Sequence, residues 1–233
     1  MNMTSIQITI RRFKGIGIVP VLLPLFFGLG AVLFLTGCGG DDGGGPTEPG
    51  TSASEYTSQG WTIFEQGNYS DALARFSSAI SKDASYGPAY VGQGWSHLML
   101  SSFGSASSSF NNAIAHGATG ADAYGGKGAT LLGLQSADLA QAVSAAQTAR
   151  AHSPSFVFDH RTSFNVNDLY LVEGCAFAGQ ALYNSALVAA NAIAPSGIVS
   201  TNSSTWMVNG VTYSTYAKAV LAYLMKMSEQ EAG

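Results

Sequence analysis

Charge is the scarcest commodity in this sequence. Of its 233 residues only 10% are Asp, Glu, Lys or Arg, against roughly 25% in ordinary soluble domains. Lys and Arg together number 10, and the formal net charge is −4. Arg11, Arg12 and Lys14 fall in a leader that reads as removable, which leaves about −7 on the remainder. No basic patch is left to neutralise phosphates, so nucleic acid is excluded as a partner. Cysteine is nearly absent as well, with only Cys38 and Cys175. Four histidines, at 97, 116, 152 and 160, share no ligand spacing and have no pair of cysteines to complete a zinc set. There are no paired carboxylates at catalytic spacing, no nucleophile beside a base and no phosphate-cradling loop. Gly125-Gly126-Lys127-Gly128 falls inside a helical pattern. The sequence reads as non-enzymatic, without cofactor or metal.

The one long hydrophobic run, Ile16 to Leu35, follows that basic cluster. A basic flank followed by an apolar core is a secretory signal. The run ends in Leu35-Thr36-Gly37-Cys38, which resembles the lipobox of bacterial lipoprotein signal peptides. The resemblance implies cleavage before Cys38 and a diacylglycerol on its thiol, so that residues 1–37 are signal peptide. The alternative is an uncleaved anchor, since about 20 apolar residues just span a bilayer; Pro20 and Pro24 break that helix. Residues 38–53, rich in Gly, Asp, Pro and Thr, cannot bury a core and read as a flexible tether. Gly39 stands where an inner-membrane retention aspartate would follow the cysteine. The expected location is the bacterial cell envelope, lipid-anchored, at the outer membrane or periplasmic face rather than the inner membrane.

Beyond the tether the chain repeats itself. Gln59-Gly60-Trp61 returns unchanged as Gln93-Gly94-Trp95, a 34-residue interval. The interval holds for Tyr56, Tyr90 and Tyr124, for Gly60, Gly94 and Gly128, and for Phe76 with Phe110. Within a copy, Gly67-Asn68 supplies a turn, and Ala72, Phe76 and Ala79 form an amphipathic stripe. These motifs resemble the tetratricopeptide repeat, an antiparallel helix pair. Its pattern is filled by Tyr56, Gly60, Tyr69, Ala72, Phe76 and Ala79, and again by Tyr90, Gly94, Phe103, Ala106, Phe110 and Ala113. A degenerate third copy begins with Tyr124 and Gly128 and continues through Ala142, Ala146 and Ala149. A fourth has Tyr170, Gly174, Tyr183 and Ala186, with Ala190 and Ile193 where Phe and Ala would stand. The expected fold is therefore all-α, a solenoid of about four such pairs over residues 54–195. Residues 151–167 interrupt it; that insertion either closes the gap between mismatched repeats or holds a site around His152, Asp159, His160 and Arg161.

The resemblance also places a binding groove. The positions that line the family's concave surface fall on Thr57, Trp61, Phe64, Val91, Trp95, Leu98, Leu132, Leu171 and Cys175, making an apolar, aromatic groove. It lacks the Lys and Asn clamp for a terminal carboxylate. Two tryptophans one repeat apart suit an apolar helix or extended peptide, and the chain's own last helix is the competing occupant. Cys175, next to Gly174 on a helix, reads as a small buried residue rather than a nucleophile.

Residues 196–233 carry a second signal. Thr205–Val208 and Val211–Ser214 flank Asn209-Gly210, a hairpin sequence. Tyr216, Val220, Tyr223, Leu224 and Met227 then form the buried stripe of a capping helix, with Lys218, Lys226 and Glu229 on its wet side. The function this implies is a membrane-anchored, non-catalytic scaffold that binds another envelope protein or peptide. A ligand or glycan receptor using Trp61, Trp95 and Trp206, and a self-associating solenoid subunit, are the alternatives.

Overall fold

The computed structural model describes residues 50–134, 138–194, 198–202, 205–208 and 210–230. The signal segment, Cys38 and the tether up to residue 49 lie outside the described residues, as does Asn209.

Eight helices follow one another as four antiparallel pairs: α1 (Ala53–Glu65) with α2 (Tyr69–Lys82), α3 (Gly87–Met99) with α4 (Phe103–Ala115), α5 (Ala121–Gly133) with α6 (Leu139–His152), and α7 (Val166–Gly179) with α8 (Tyr183–Ile193). Each second helix packs on its own first helix and on the first helix of the next pair. The first helices α1, α3, α5 and α7 also touch in succession and line one side of the stack. This is the all-α solenoid expected from the 34-residue period.

Local chemistry sets the helix ends. Ser52 Oγ accepts from Glu55 N while the Glu55 carboxylate accepts from Ser52 N, a complete capping box. Ser52 is therefore the N-cap of α1 and Ala53 its first residue, both at the end of the stretch expected to be tether. Asn165 and Asp168 repeat that arrangement at the start of α7. Between first and second helices the chain turns through a left-handed residue, Gly67 in the first pair, Ser101 in the second and Ala181 in the fourth. In each turn the next amide reaches back to a carbonyl of the helix: Asn68 to Ile63, Ser102 to His97, Leu182 to Phe177.

The repeat is locked by rings set against bare backbone. A Cβ on Gly60 would lie 2.6 Å from the Phe76 ring, and one on Gly92 only 2.2 Å from it. Phe110 is held in the same way by Gly94 and Gly126, where the distances would be 2.8 Å and 2.2 Å. Each phenylalanine thus joins its own pair to the next. In the third pair Ala142, Ala146 and Ala149 are fully buried, as the late register required, and in the fourth Ala186 and Ala190 are.

The end of the stack is a three-stranded antiparallel sheet in the order β1 (Ile198–Asn202), β2 (Thr205–Val208), β3 (Val211–Tyr213). The hairpin is in the expected register, with Trp206 opposite Tyr213 and Val208 opposite Val211; β1 is a strand the sequence reading did not anticipate. The final helix, α9 (Tyr216–Gln230), packs on α7 and α8 and against the sheet. Val220, Tyr223, Leu224 and Met227 face inward and are buried, and Tyr223 donates from its hydroxyl to the Ala194 carbonyl.

Candidate functional site

The side of the stack lined by α1, α3 and α5 is where a groove was expected, and it is occupied. The occupant is the insertion between α6 and α7. Phe158 N donates to Phe164 O at 2.9 Å and Val166 N to Phe156 O at 2.7 Å, with Val157 bridging Asn165, so residues 156–166 form a narrow loop. Phe156, Phe158 and Phe164 are all buried by it. These side chains point into the helices and not into solvent.

Trp95 of α3 is the centre of the arrangement. Phe158 stacks on its ring at 4.1 Å, Phe164 meets it edge-on at 5.0 Å, and its indole N–H donates to the Asp122 carbonyl at 3.1 Å. Trp61, one repeat earlier, receives the loop's tip: His160 lies on its face with centroids 3.9 Å apart, and Phe158 meets its edge at 5.8 Å. His160 Nδ1 is 2.8 Å from the Glu65 carboxylate, 95 residues away in sequence. Arg161 donates to the Tyr69 hydroxyl at 3.0 Å and lies 3.1 Å from Met99 Sδ, while its buried Nε has no partner. Gly125 of α5 faces this cluster, where a Cβ would lie 3.3 Å from Leu169 and in ordinary contact with the Phe164 and Phe156 rings.

The predicted groove residues are therefore core residues. Phe64, Val91, Trp95, Leu98, Leu132, Leu171 and Cys175 all belong to one continuous buried cluster, against which the partly buried Trp61 packs. Thr57 is buried too, its hydroxyl satisfied by the Ala53 carbonyl of its own helix at 2.8 Å. The expectation that these positions form an open surface is corrected, and so is the idea that the last helix competes for it: α9 sits at the far end, on α7 and α8. What sequence reasoning missed is the alternation Phe156, Phe158, His160. That period of two marks an extended segment with one apolar face, and it sits in a connection longer than a repeat requires.

Elsewhere the chemistry is structural. His116 stacks on Tyr90 and His152 on Tyr124. Glu173 is buried on α7, where Arg150 Nε donates to it at 2.7 Å and the guanidinium also covers the Tyr170 ring at 4.2 Å. Burial pushes the Glu173 carboxyl above the usual range, and Arg150 opposes that shift only in part. Burial pushes the Cys175 thiol up to about 12, which removes the thiolate at neutral pH. Among the described residues no group of three or more His, Cys, Asp or Glu could hold a metal ion. Nor is any helix among them long and apolar enough to cross a membrane.

Antiparallel helix pairs in register, first helices lining one side and a terminal helix over the last pair, define an α-solenoid. The 34-residue period and the ring-against-glycine packing make it a solenoid of tetratricopeptide repeat fold. Comparison with solved structures agrees. YrrB, described as a tetratricopeptide-repeat protein with an unusual peptide-binding site, matches with a TM-score of 0.51 at 20% identity, over 60% of this chain and 66% of its own. The MamA RS-1 ArsTM double mutant matches with a TM-score of 0.50 at 17% identity, over 61% of this chain and 73% of its own. No family model matches the chain, and no curated protein does.

Proposed function

We propose that this chain is a non-catalytic scaffold of the bacterial cell envelope, anchored by lipid on Cys38, and that it works by protein contact through the outside of its solenoid. The observation that carries this reading is the seating of residues 156–164 on Trp61 and Trp95. The inner face already holds an extended segment in the manner of a bound peptide, but the segment is its own. Three buried phenylalanines at roughly 1.5–3 kcal/mol each oppose its release by about 5–9 kcal/mol. A partner binding with micromolar affinity has only about 8 kcal/mol to offer. Displacement would consume from more than half to all of it, so the groove is committed and partners meet other surfaces. Stacking of sugars on Trp61 and Trp95 is disfavoured on the same ground. The peptide-binding description attached to YrrB supports interaction as the work of the fold, and the leader supports envelope anchorage, at the outer membrane given Gly39.

Two measurements test the reading. Metabolic labelling with a radioactive fatty acid should mark the full chain, and Cys38→Ser should lose the label. Photo-crosslinking residues placed on the outer helix faces should capture an envelope protein, whereas the same probe at Glu65, which His160 of the loop contacts, should not. Label retained after Cys38→Ser, or capture from the Glu65 position alone, would contradict it.

A further inference from the structure

The far end of the stack is not the uniformly wet cap that its lysines and glutamate suggested. Tyr213 of β3 and Lys218, Leu221, Ala222, Met225, Lys226 and Glu229 of α9 line an open groove of about 410 Å³. Helix α9 packs on α7 and α8 much as α3 packs on α1 and α2, so it takes the place of the first helix of a fifth pair. In the four preceding pairs a second, antiparallel helix covers such a helix. Among the described residues no such helix covers α9, although the sheet packs on one side of it.

The sequence of that face specifies its occupant. Lys218, Ala222, Met225 and Glu229 follow the four-three-four spacing of a helix–helix seam. The seam is apolar in the middle, with opposite charges at its two ends. Laid antiparallel on a copy of itself, with the dyad between Tyr223 and Leu224, it sets Ala222 against Met225 of the second copy and Lys218 against Glu229 of the second copy. Leu221 then meets the stem of Lys226 of the second copy. Such self-complementarity is what a two-fold interface requires. Lys226 and Glu229 already interact within their own chain, so the ion pairs set direction and register while the apolar middle supplies the affinity.

We infer that the α9 groove is the dimerisation surface of this protein, and that a second copy lays its own α9 antiparallel into it as the missing helix of the fifth pair. This deepens the scaffold reading by naming one surface and one partner, and it rests on that reading only in taking contact to be the chain's task. It differs from head-to-tail stacking, because an isologous contact closes at two.

The test uses the full-length chain in detergent micelles, its mass followed by analytical ultracentrifugation across a concentration series. A monomer–dimer equilibrium is expected. Met225→Glu should raise the dissociation constant by about tenfold or more, a change of at least about 1.4 kcal/mol. Lys218→Glu and Glu229→Lys should each weaken the dimer, and the two together in one chain should restore it. Circular dichroism of these variants, two at exposed positions and one at the partly buried Met225, should be unchanged. A chain that stays monomeric throughout, particles that keep growing with concentration, or a dimer indifferent to Met225→Glu would overturn the inference. A monomer that still crosslinks a different envelope protein would sink the dimer and leave the scaffold reading standing.

Discussion

His160 lies flat on Trp61, centroids 3.9 Å apart and planes 4° from parallel, although one belongs to a connection late in the chain and the other to the first helix. Glu65 fixes the imidazole from the side at 2.8 Å. A single loop thereby ties the third and fourth helix pairs back to the first. The solenoid gains a long-range contact that stacking of neighbours alone does not provide.

Removing the loop's central ring should therefore be costly. Phe158 is fully buried between the two tryptophan positions, and Phe158→Ala should lower stability by about 3–5 kcal/mol in urea unfolding. Phe158→Leu, which leaves a smaller void, should cost about half as much or less. The Ala variant should also shift tryptophan emission to the red as Trp61 and Trp95 meet water.

Two glycine positions should respond with opposite sign. Gly92→Ala places a methyl 2.2 Å from the Phe76 ring and should destabilise by about 1–3 kcal/mol through overpacking. Gly104, with nothing within 4 Å, should gain up to about 1 kcal/mol on change to Ala. Phe76→Leu should recover part of the Gly92→Ala loss, measured as a coupling energy in a double-mutant cycle.

Cys175 should be inert in the native state. Its thiol is buried and pushed up to about 12, so a maleimide reagent at neutral pH should leave it unmodified. Addition of urea should expose it to rapid labelling. Labelling of the native chain at the unfolded rate would contradict the packing of α7.

Glu173 gives a pH dependence of definite sign. Its folded carboxyl titrates above the ordinary value of 4.5 because burial opposes ionisation. Between the unfolded and the raised folded values the unfolded chain has already released its proton, so stability falls as pH rises through that window. Glu173→Gln removes this term. The urea midpoint of the variant should improve relative to the parent chain as pH rises above the ordinary carboxyl value of 4.5, and a constant difference would show that burial does not govern the group.

Much of the fold was legible because the repeat reports itself in residue volumes. Phe76 and Phe110 require bare backbone opposite them, and Gly60 with Gly94 supplied that signal. Gly92 and Gly126, one period apart, carry the same message from the neighbouring pair and were open to the same reading. The start of α1 lies within a residue of the expected boundary; Ser52 and Ala53 sit in a polar run that composition assigns to the tether, and the capping box with Glu55 places them at the helix. The groove was misread for a different reason. Periodicity shows which positions face inward, and Trp61 and Trp95 do; it does not show what covers them. That depends on a contact across 95 residues, of which the local trace is the alternation Phe156, Phe158, His160. Strand β1 left no comparable pattern, and its partners are fixed by pairing with β2.

The seating of the loop on the first repeat can be measured directly by proton NMR on the full-length chain in detergent. Nuclear Overhauser effects should connect the His160 ring protons to the Trp61 indole, with the His160 resonances shifted upfield by the ring current, and both features should vanish in Trp61→Ala. His160 resonances at free-peptide positions, with no cross-peak to Trp61, would show an open groove and contradict the account.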